Sequence, residues 1–292
     1  KKSAIPPFGE KVSLWPRKCV LGSSFAFWME YCIFGQNDQK SNKKPLLPQA
    51  FEPSAPKMVI LFSDLDRLFK SISFIKMDSD KIKRDCIISD INRIIEVNGW
   101  EDGLIKIIVT KGLAKNNRKT ELSPNIYITI KELYNIPKEP VKVVFYNESK
   151  YPILRFNPAI KSINYLGNMM AIEDANRDGA FEVAFYNNDN AITECAMRNI
   201  FFIRENYLIT PKLDLGILPG TTRKMISNLS DNINLKYVEK EILVDNVNLM
   251  DEAFICSSVV GILPCFWDGW ESNFKLTKRL QFLLEESLEK YG

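Results

Sequence analysis

The sequence predicts an α+β fold divided into two domains, and three observations support that prediction. At 292 residues the chain is longer than a typical single domain. Helical periodicities and short β-branched segments interleave in both halves without a strict β-α-β repeat. Residues 134–141 (YNIPKEPV) combine two prolines with charges and show no apolar period, which is typical of a domain boundary. We therefore expect a smaller N-terminal domain over residues 1–134, a linker over residues 135–141 and a larger C-terminal domain over residues 142–292.

The N-terminal half is predicted to contain two helices and two strands after a long loop. Residues 36–57 are polar and contain several prolines, which indicates a surface loop or insertion. A first helix is indicated by apolar residues at helical spacing, namely Leu65, Leu68, Phe69, Ile72 and Ile75. Residues 79–98 follow the same spacing and predict a second helix. Residues 104–110 and 125–130 are rich in β-branched side chains and predict strands.

The C-terminal half is predicted to contain short strands separated by polar turns, together with three helices. The strands are expected over residues 141–146, 183–186, 192–193, 199–203, 207–209 and 252–257. The helices are expected over residues 165–177, from Thr221 onward, and over residues 276–290. Gly179 is the predicted end of the first of these helices, because glycine accepts the left-handed conformation found there.

The composition excludes several kinds of catalytic site. The chain contains no histidine, which excludes histidine-dependent triads, HExxH zinc sites and acid–base catalysis by imidazole, and we expect no metal. The net charge of +3 gives no reason to expect nucleic acid or an anionic membrane as a partner. The six cysteines are scattered without a CxxC pair, and the longest apolar stretches are too short to span a bilayer. Reduced thiols in a cytoplasmic protein are therefore expected.

The most informative local string is residues 216–223 (GILPGTTR). Two glycines bracket a turn that leads directly into a predicted helix, with Thr221 and Thr222 at its start. Free backbone N–H groups and the helix dipole make such a terminus suitable for binding an anion. The same string also fits an ordinary capped helix after a loop, so that by itself it does not identify a ligand.

Four strings in a fixed order are more informative than any one of them. They are residues 160–168 (IKSINYLGN), then Thr193-Glu194 with residues 199–201 (NIF), then Thr210-Pro211 with residues 216–223, and finally residues 257–264 (SSVVGILP). Their order and spacing closely resemble the class IV aminotransferase-like family, which includes D-amino-acid aminotransferases, branched-chain aminotransferases and aminodeoxychorismate lyases. The resemblance covers the whole C-terminal half. It implies a two-domain, fold-type-IV enzyme that binds pyridoxal 5'-phosphate in the cleft between its domains.

The resemblance implies a catalytic role for Lys161 and a cofactor contact for Glu194. Lys161 matches the family's Schiff-base lysine, whose amine bonds to the cofactor aldehyde and can also move the proton on the substrate Cα. Glu194 matches the carboxylate that pairs with the pyridine nitrogen and keeps it protonated. Taken alone, Lys161 would be an ordinary surface charge and Glu194 an ordinary carboxylate at a strand end. Their neighbours in the four strings favour the functional interpretation.

The resemblance also implies which residues hold the cofactor phosphate and ring. Thr221 and Thr222 match backbone amides that bind the phosphate, and Ser258 matches a hydroxyl that joins them. Arg67 matches an arginine that reaches the same phosphate from the first domain, a task that suits the permanently charged guanidinium. Tyr165 matches a position near the cofactor's ring oxygen where branched-chain aminotransferases have a tyrosine. Without the resemblance, Arg67 would be simply an exposed helix arginine.

The sequence departs from the family on the side that is expected to face the substrate. Residues 22–24 (GSS) replace the family's Gly-Asp-Gly, and residues 26–27 (AF) replace its Phe-Glu pair. Glu30 stands where branched-chain enzymes carry an arginine. Asp64 stands where the family usually has a histidine, and the loop over residues 36–57 is longer than expected. The cofactor side is intact, so that the substrate is less well defined than the cofactor.

Three functions remain open. The Ser-x-x-Gly-x-x-Pro spacing of residues 258–264 and the string at residues 276–281 (LTKRLQ) favour a lyase that converts 4-amino-4-deoxychorismate to 4-aminobenzoate and pyruvate in folate biosynthesis. Residues 160–168 are closer to the D-amino-acid aminotransferases, so that a transaminase acting on D- or branched-chain amino acids with 2-oxoglutarate is the alternative. The altered residues 22–30 motivate a third hypothesis, in which the chain is a relative that binds the cofactor without turnover. The resemblance also implies a small-molecule amino substrate and a homodimer.

Overall fold

The computed structural model of the protein describes residues 26–33, 55–99, 103–112 and 124–290, with the backbone alone for residues 26–33 and 55–62. Helices and strands mix throughout these segments, as the predicted α+β class requires. Within these segments, none of the helices combines the length and the apolar character that crossing a membrane requires. The substitutions noted at residues 22–24 and most of the loop over residues 36–57 lie outside the described residues.

A small antiparallel sheet contains the strands of the N-terminal half. It is formed by β1 (Ala26–Ile33), β2 (Gly103–Thr110) and β3 (Asn125–Lys131), in that order. Two helices share its core, α1 (Ala55–Phe74) and α2 (Arg84–Asn98). The core is made of Leu65, Leu68, Ile72, Ile87, Ile91, Ile105, Ile107 and Val109. Because these apolar residues of α1 recur at helical spacing, their burial fixes the rotation of the helix and therefore the direction of its polar residues.

A larger sheet is built from the strands that follow residue 140. These are β4 (Val141–Asn147), β5 (Glu182–Tyr186), β6 (Ile192–Cys195), β7 (Asn199–Arg204), β8 (Tyr207–Thr210), β9 (Lys236–Glu239), β10 (Glu252–Ser257) and β11 (Gly261–Phe266). Among the described residues the strand order is β6-β5-β4-β11-β10-β7-β8-β9. β4 runs parallel to β5 and to β11, and β8 runs parallel to β9, whereas the other neighbours are antiparallel.

Three helices cover this sheet. They are α3 (Leu166–Arg177), α4 (Thr221–Leu229) and α5 (Lys275–Lys290). α3 packs through Ala171 and Ala175 against Val183 and Phe185 of β5. α4 and α5 share a separate core with β7 and β10, which includes Ile226, Leu280, Phe201 and Phe254. The small residues of α3 let that helix approach β5 closely, and the segment before this helix contains Lys161.

Most predicted elements are present, whereas some of the observed strands were not predicted and one predicted boundary is wrong. Residues 252–257 form a strand with the predicted bounds, and α3 begins one residue later than expected. β9 was not predicted because half of its residues are charged, and β11 was not predicted because it contains Pro264. Pro264 lies opposite Phe254 of β10, whereas pairing with β4 begins only at the following residue. The predicted C-terminal boundary of the loop over residues 36–57 is wrong, because α1 begins at Ala55.

Candidate active site

Lys161 lies in the irregular segment between β4 and α3, half-buried. Its Nζ atom is 5.9 Å from the ring centroid of Tyr165, the residue that caps the N-terminus of α3. Gly167, in the first turn of α3, fixes the approach of this segment, since a Cβ at that position would lie 2.7 Å from the carbonyl group of Pro152. The lysine predicted from the sequence therefore lies close to the start of α3.

Glu194 lies near the end of β6 and accepts hydrogen bonds from three directions. Arg155 Nη1 donates to Glu194 Oε1 at 2.5 Å, and the Leu218 N–H donates to Oε2 at 3.1 Å. The Asn199 amide approaches the same Oε2 atom at 3.4 Å. Burial raises the pKa of the Glu194 carboxyl above its ordinary value, while Arg155, the Leu218 N–H and Lys161 act in the opposite direction.

Arg155 is a site residue that the sequence did not predict. Besides Glu194, its guanidinium donates to Glu148 Oε2 from Nη2 at 2.9 Å and from Nε at 3.1 Å, and to Thr193 Oγ1 at 2.9 Å. Burial lowers the pKa of Arg155, but the two carboxylates raise it by more, so that the guanidinium stays charged. One arginine is thus shared between two carboxylates. In the sequence it is marked only by its position six residues before Lys161.

The turn over residues 216–220 requires glycine at both ends. Gly216 has a φ of +73°, in the left-handed region, and a Cβ there would lie 3.1 Å from Cβ of Arg155. A Cβ at Gly220 would lie only 2.1 Å from Oδ1 of Asn199. Asn199 in turn donates to the Leu218 carbonyl at 3.0 Å. The turn is therefore hydrogen-bonded to Asn199, a residue that also contacts Glu194.

α4 begins directly after this turn and presents Thr221 and Thr222 in its first turn, as predicted. The N-cap residue is Gly220, and no side chain caps the helix there. The backbone N–H groups of the first turn of a helix have no partner within the helix, so that an uncapped terminus suits an anion. Arg223 anchors the helix, because its buried Nη2 donates to the Pro211 carbonyl at 2.8 Å and lies 3.1 Å from Glu239 Oε1.

Asp64 and Arg67 face this terminus from α1. Arg67 Nη2 donates to Asp64 Oδ1 at 2.5 Å, and Asp64 is fully buried. Burial raises the pKa of the Asp64 carboxyl above its ordinary value, and the opposing influences come from Arg67, Lys161 and the hydroxyl of Thr221. The structure therefore brings together Arg67, Lys161 and Thr221, three residues that the sequence predicted separately.

Lys161 acts electrostatically on two separate carboxylates. It lowers the pKa of Asp64, which lies beside Arg67 and Thr221, and it also lowers the pKa of Glu194, which lies beside Arg155. The lysine amine therefore lies within electrostatic reach of both carboxyl groups. Ser258 lies in the turn between β10 and β11, next to the strand on which α4 packs. Its contact with a phosphate, like the roles of the other predicted residues, stays a prediction.

Comparison with known proteins identifies the family. The family described as amino-transferase class IV matches residues 57–265. The chain belongs to this family. A relative from Methanocaldococcus jannaschii, provisionally named a branched-chain-amino-acid aminotransferase, is 27% identical over 241 residues, which cover 80% of this chain and 83% of the relative.

Solved structures of the class IV family share the whole fold. A Legionella pneumophila protein, provisionally named 4-amino-4-deoxychorismate lyase, has a TM-score of 0.75 at 22% identity and covers 93% of this chain and 96% of its own. A branched-chain aminotransferase from Thermobaculum terrenum, described in its pyridoxal phosphate form, has a TM-score of 0.72 at 20% identity, covering 91% and 86% of the two chains. The class IV chain thus has the fold of the fold-type-IV pyridoxal phosphate enzymes.

Proposed function

We propose that this class IV chain binds pyridoxal 5'-phosphate covalently through Lys161 and uses it for chemistry on an amino group. The observation that supports this most directly is that the Lys161 amine acts electrostatically on two carboxyl groups, that of Asp64, which pairs with Arg67, and that of Glu194. The cofactor also has two chemically different ends, which match these two sets of residues. One end is a phosphate, which needs cations and N–H donors, and the other is a pyridine nitrogen, which needs a carboxylate.

The residues present fit this cofactor at both ends. At the phosphate end, α4 has a glycine N-cap and no side-chain cap, and Arg67 supplies a permanent positive charge. At the ring end, Glu194 is held by Arg155 and the Leu218 N–H in a fixed orientation. The site between them contains the amine of Lys161 and the ring of Tyr165. In this proposal the phosphate is bound by Arg67, Thr221, Thr222 and Ser258.

Lys161 would also move protons during the reaction. When bound, the cofactor supplies an electron-accepting ring that stabilises negative charge on the carbon next to the amino nitrogen. Glu194 keeps the ring nitrogen protonated, because a carboxylate paired with Arg155 favours a positively charged partner. With the cofactor bound, the Lys161 amine would act as the base on the C–H bond next to the substrate amino group.

The specific reaction that we propose is the lyase reaction on 4-amino-4-deoxychorismate. Lys161 would take the proton from the ring carbon that bears the amino group, and the C–O bond to the enolpyruvyl group would break. That group leaves as pyruvate after gaining a proton at its methylene carbon, and the ring becomes aromatic 4-aminobenzoate. The support is the lyase-like spacing of residues 258–264, which form the turn into β11 in the structure.

An aminotransferase on D- or branched-chain amino acids is the second candidate. The observation that favours it is the match to the M. jannaschii relative, which is provisionally named a branched-chain-amino-acid aminotransferase. Lys161 and Glu194 would serve that reaction equally well, because both reactions begin with loss of a proton next to the amino nitrogen. In either case we propose a homodimer, as the resemblance to the family implies.

Two incubations of the purified, cofactor-loaded protein test this proposal. With 4-amino-4-deoxychorismate, we expect 4-aminobenzoate and pyruvate in equal amounts, and none with Lys161→Ala. The matched control is Lys150→Ala, since Lys150 is an exposed lysine beyond β4, and this variant should keep the activity. With amino acids and 2-oxoglutarate, robust transfer without 4-aminobenzoate formation would establish the aminotransferase instead. Cofactor binding without turnover in either incubation would identify the chain as an inactive relative.

A further inference from the structure

Asp64 is a buried carboxylate that has one oxygen without a partner. Its Oδ1 atom accepts from Arg67, whereas Oδ2 makes no well-aligned hydrogen bond with any of the described residues. The hydroxyl of Thr221 lies near the carboxyl group. The side chain is fully buried. A buried oxygen of this kind costs free energy unless a donor reaches it, so that the position calls for a hydrogen-bonding ligand.

The surroundings of Asp64 define what that ligand is. The charged groups that act on it are Arg67, on its own helix, and Lys161, from the segment before α3. α4 contributes the uncharged hydroxyl of Thr221 together with its uncapped terminus. Two cations and a helix N-terminus converge on one small volume, and this combination suits a phosphate. In the proposed function this volume holds the cofactor phosphate, and the inference below rests on that proposal.

A carboxylate in this position conflicts with a fully ionised phosphate. Two anions in contact at a buried site repel each other strongly, and the repulsion is relieved when one of them holds a proton. A proton also resolves the second problem, because an O–H···O hydrogen bond between the two groups gives the unpartnered Oδ2 atom its partner. A phosphate site that contains an arginine-paired carboxylate therefore binds the phosphate together with one proton.

We propose that Asp64 Oδ2 and the cofactor phosphate share a single proton, taken up from solvent when the cofactor binds. Asp64 is thus a positioning residue that orients both Arg67 and the phosphate, and it makes cofactor affinity depend on pH. Burial raises the pKa of Asp64 in the protein without ligand, which lowers the free-energy cost of placing a proton there when the phosphate binds. The proton comes from solvent or buffer, which loses a bond to hydrogen as the Asp64–phosphate pair gains an O–H bond, and no other covalent bond changes in the step.

Calorimetric titration with pyridoxamine 5'-phosphate tests the proposal. This probe carries the phosphate but has no aldehyde, so that covalent chemistry on Lys161 does not contribute. Titrations at about pH 8 in buffers of different ionisation enthalpy measure the protons taken up, and wild type should take up about one more than Asp64→Asn. Between about pH 7 and pH 9, the ratio of the wild-type Kd to the Asp64→Asn Kd should rise about tenfold per pH unit. Asparagine keeps the shape and offers its own N–H to the phosphate.

The control variant is Asp66→Asn, which removes an exposed carboxylate two residues away that pairs with Arg84 instead. It should behave as wild type does. Equal proton uptake in wild type and Asp64→Asn would overturn the proposal, and so would loss of binding in a folded Asp64→Asn. If that variant does not fold, two titrations of the wild-type protein test the proposal instead. Proton uptake should be about one proton greater with pyridoxamine phosphate than with pyridoxamine, and equal uptake would overturn the proposal. Failure of wild type to bind either pyridoxamine phosphate or pyridoxal phosphate would instead overturn the proposed function itself.

Discussion

Arg155 and Glu194 form an ion pair whose two side chains are only 19% and 16% exposed, with Nη1 and Oε1 2.5 Å apart. The same guanidinium lies 2.9 Å from Glu148, so that a single positive charge is shared between two carboxylates. Glu194 consequently keeps part of its negative charge for another partner. A carboxylate that is fixed in orientation but not fully neutralised is what a protonated pyridine nitrogen requires.

Removal of Arg155 should strongly destabilise the protein. Arg155→Met leaves two partly buried carboxylates without their shared cation, and we expect the free energy of unfolding to fall by about 3 kcal/mol. Urea denaturation followed by circular dichroism measures the change. The control is Arg177→Met, because Arg177 is 73% exposed and pairs with Asp174 within α3. That variant should change stability by less than about 0.5 kcal/mol, and an equal loss in both variants would contradict our account.

Glu194→Gln should separate cofactor binding from catalysis. Glutamine keeps an acceptor for the Leu218 N–H but carries no charge to hold a proton on the ring nitrogen. We therefore expect pyridoxal phosphate still to bind, as judged by its absorption spectrum, while turnover falls by about a hundredfold or more. Full activity in this variant would show that Glu194 does not contact the ring nitrogen.

Gly220→Ala should disturb the α4 terminus through Asn199. The new methyl group would lie 2.1 Å from Asn199 Oδ1, and we expect a loss of about 2 kcal/mol in stability together with weaker phosphate binding. The double variant Gly220→Ala/Asn199→Ala removes the clashing amide. Its loss should be smaller than the sum of the two single losses, as thermal and urea denaturation would show. Strictly additive losses would contradict the predicted contact.

The positions of the candidate site residues were predictable from the sequence where a motif marks them. Lys161, Glu194 and Thr221 stand in strings whose order is preserved, and the strand at residues 252–257 has an apolar run with clear ends. Arg155 was not predictable, because its partner Glu194 is 39 residues away in the chain and only the fold brings them together. The burial of Asp64 was not predictable from the sequence either, since a carboxylate within an amphipathic helix ordinarily faces solvent.

Glu239 should contribute stability that is lost in acid. Burial raises the pKa of its carboxyl, but the hydroxyl of Tyr237 and the guanidinium of Arg223 lower it by more, so that the folded-state pKa lies below the ordinary value of 4.5. A depressed carboxyl pKa stabilises the folded state above the unfolded-state pKa, and the contribution disappears as pH falls through the folded-state value. Glu239→Gln should therefore be less stable than wild type at neutral pH.

The difference between Glu239→Gln and wild type should shrink as the pH is lowered below about 4.5. Urea denaturation at a series of pH values provides the measurement. The control is Glu241→Gln, two residues further along, whose side chain is exposed. A constant difference between Glu239→Gln and wild type at every pH would show that the carboxylate does not anchor Arg223 and, through it, α4.

The most direct test of the central claim is to locate the covalently bound cofactor. The wild-type protein is loaded with pyridoxal phosphate, reduced with borohydride, digested and analysed by mass spectrometry. We predict one modified peptide, with the added mass on Lys161, and no such peptide from Lys161→Ala, while Lys150→Ala gives the wild-type result. Stoichiometric modification of a different lysine, or no modification of the loaded wild-type protein, would contradict the assignment of Lys161 as the cofactor lysine.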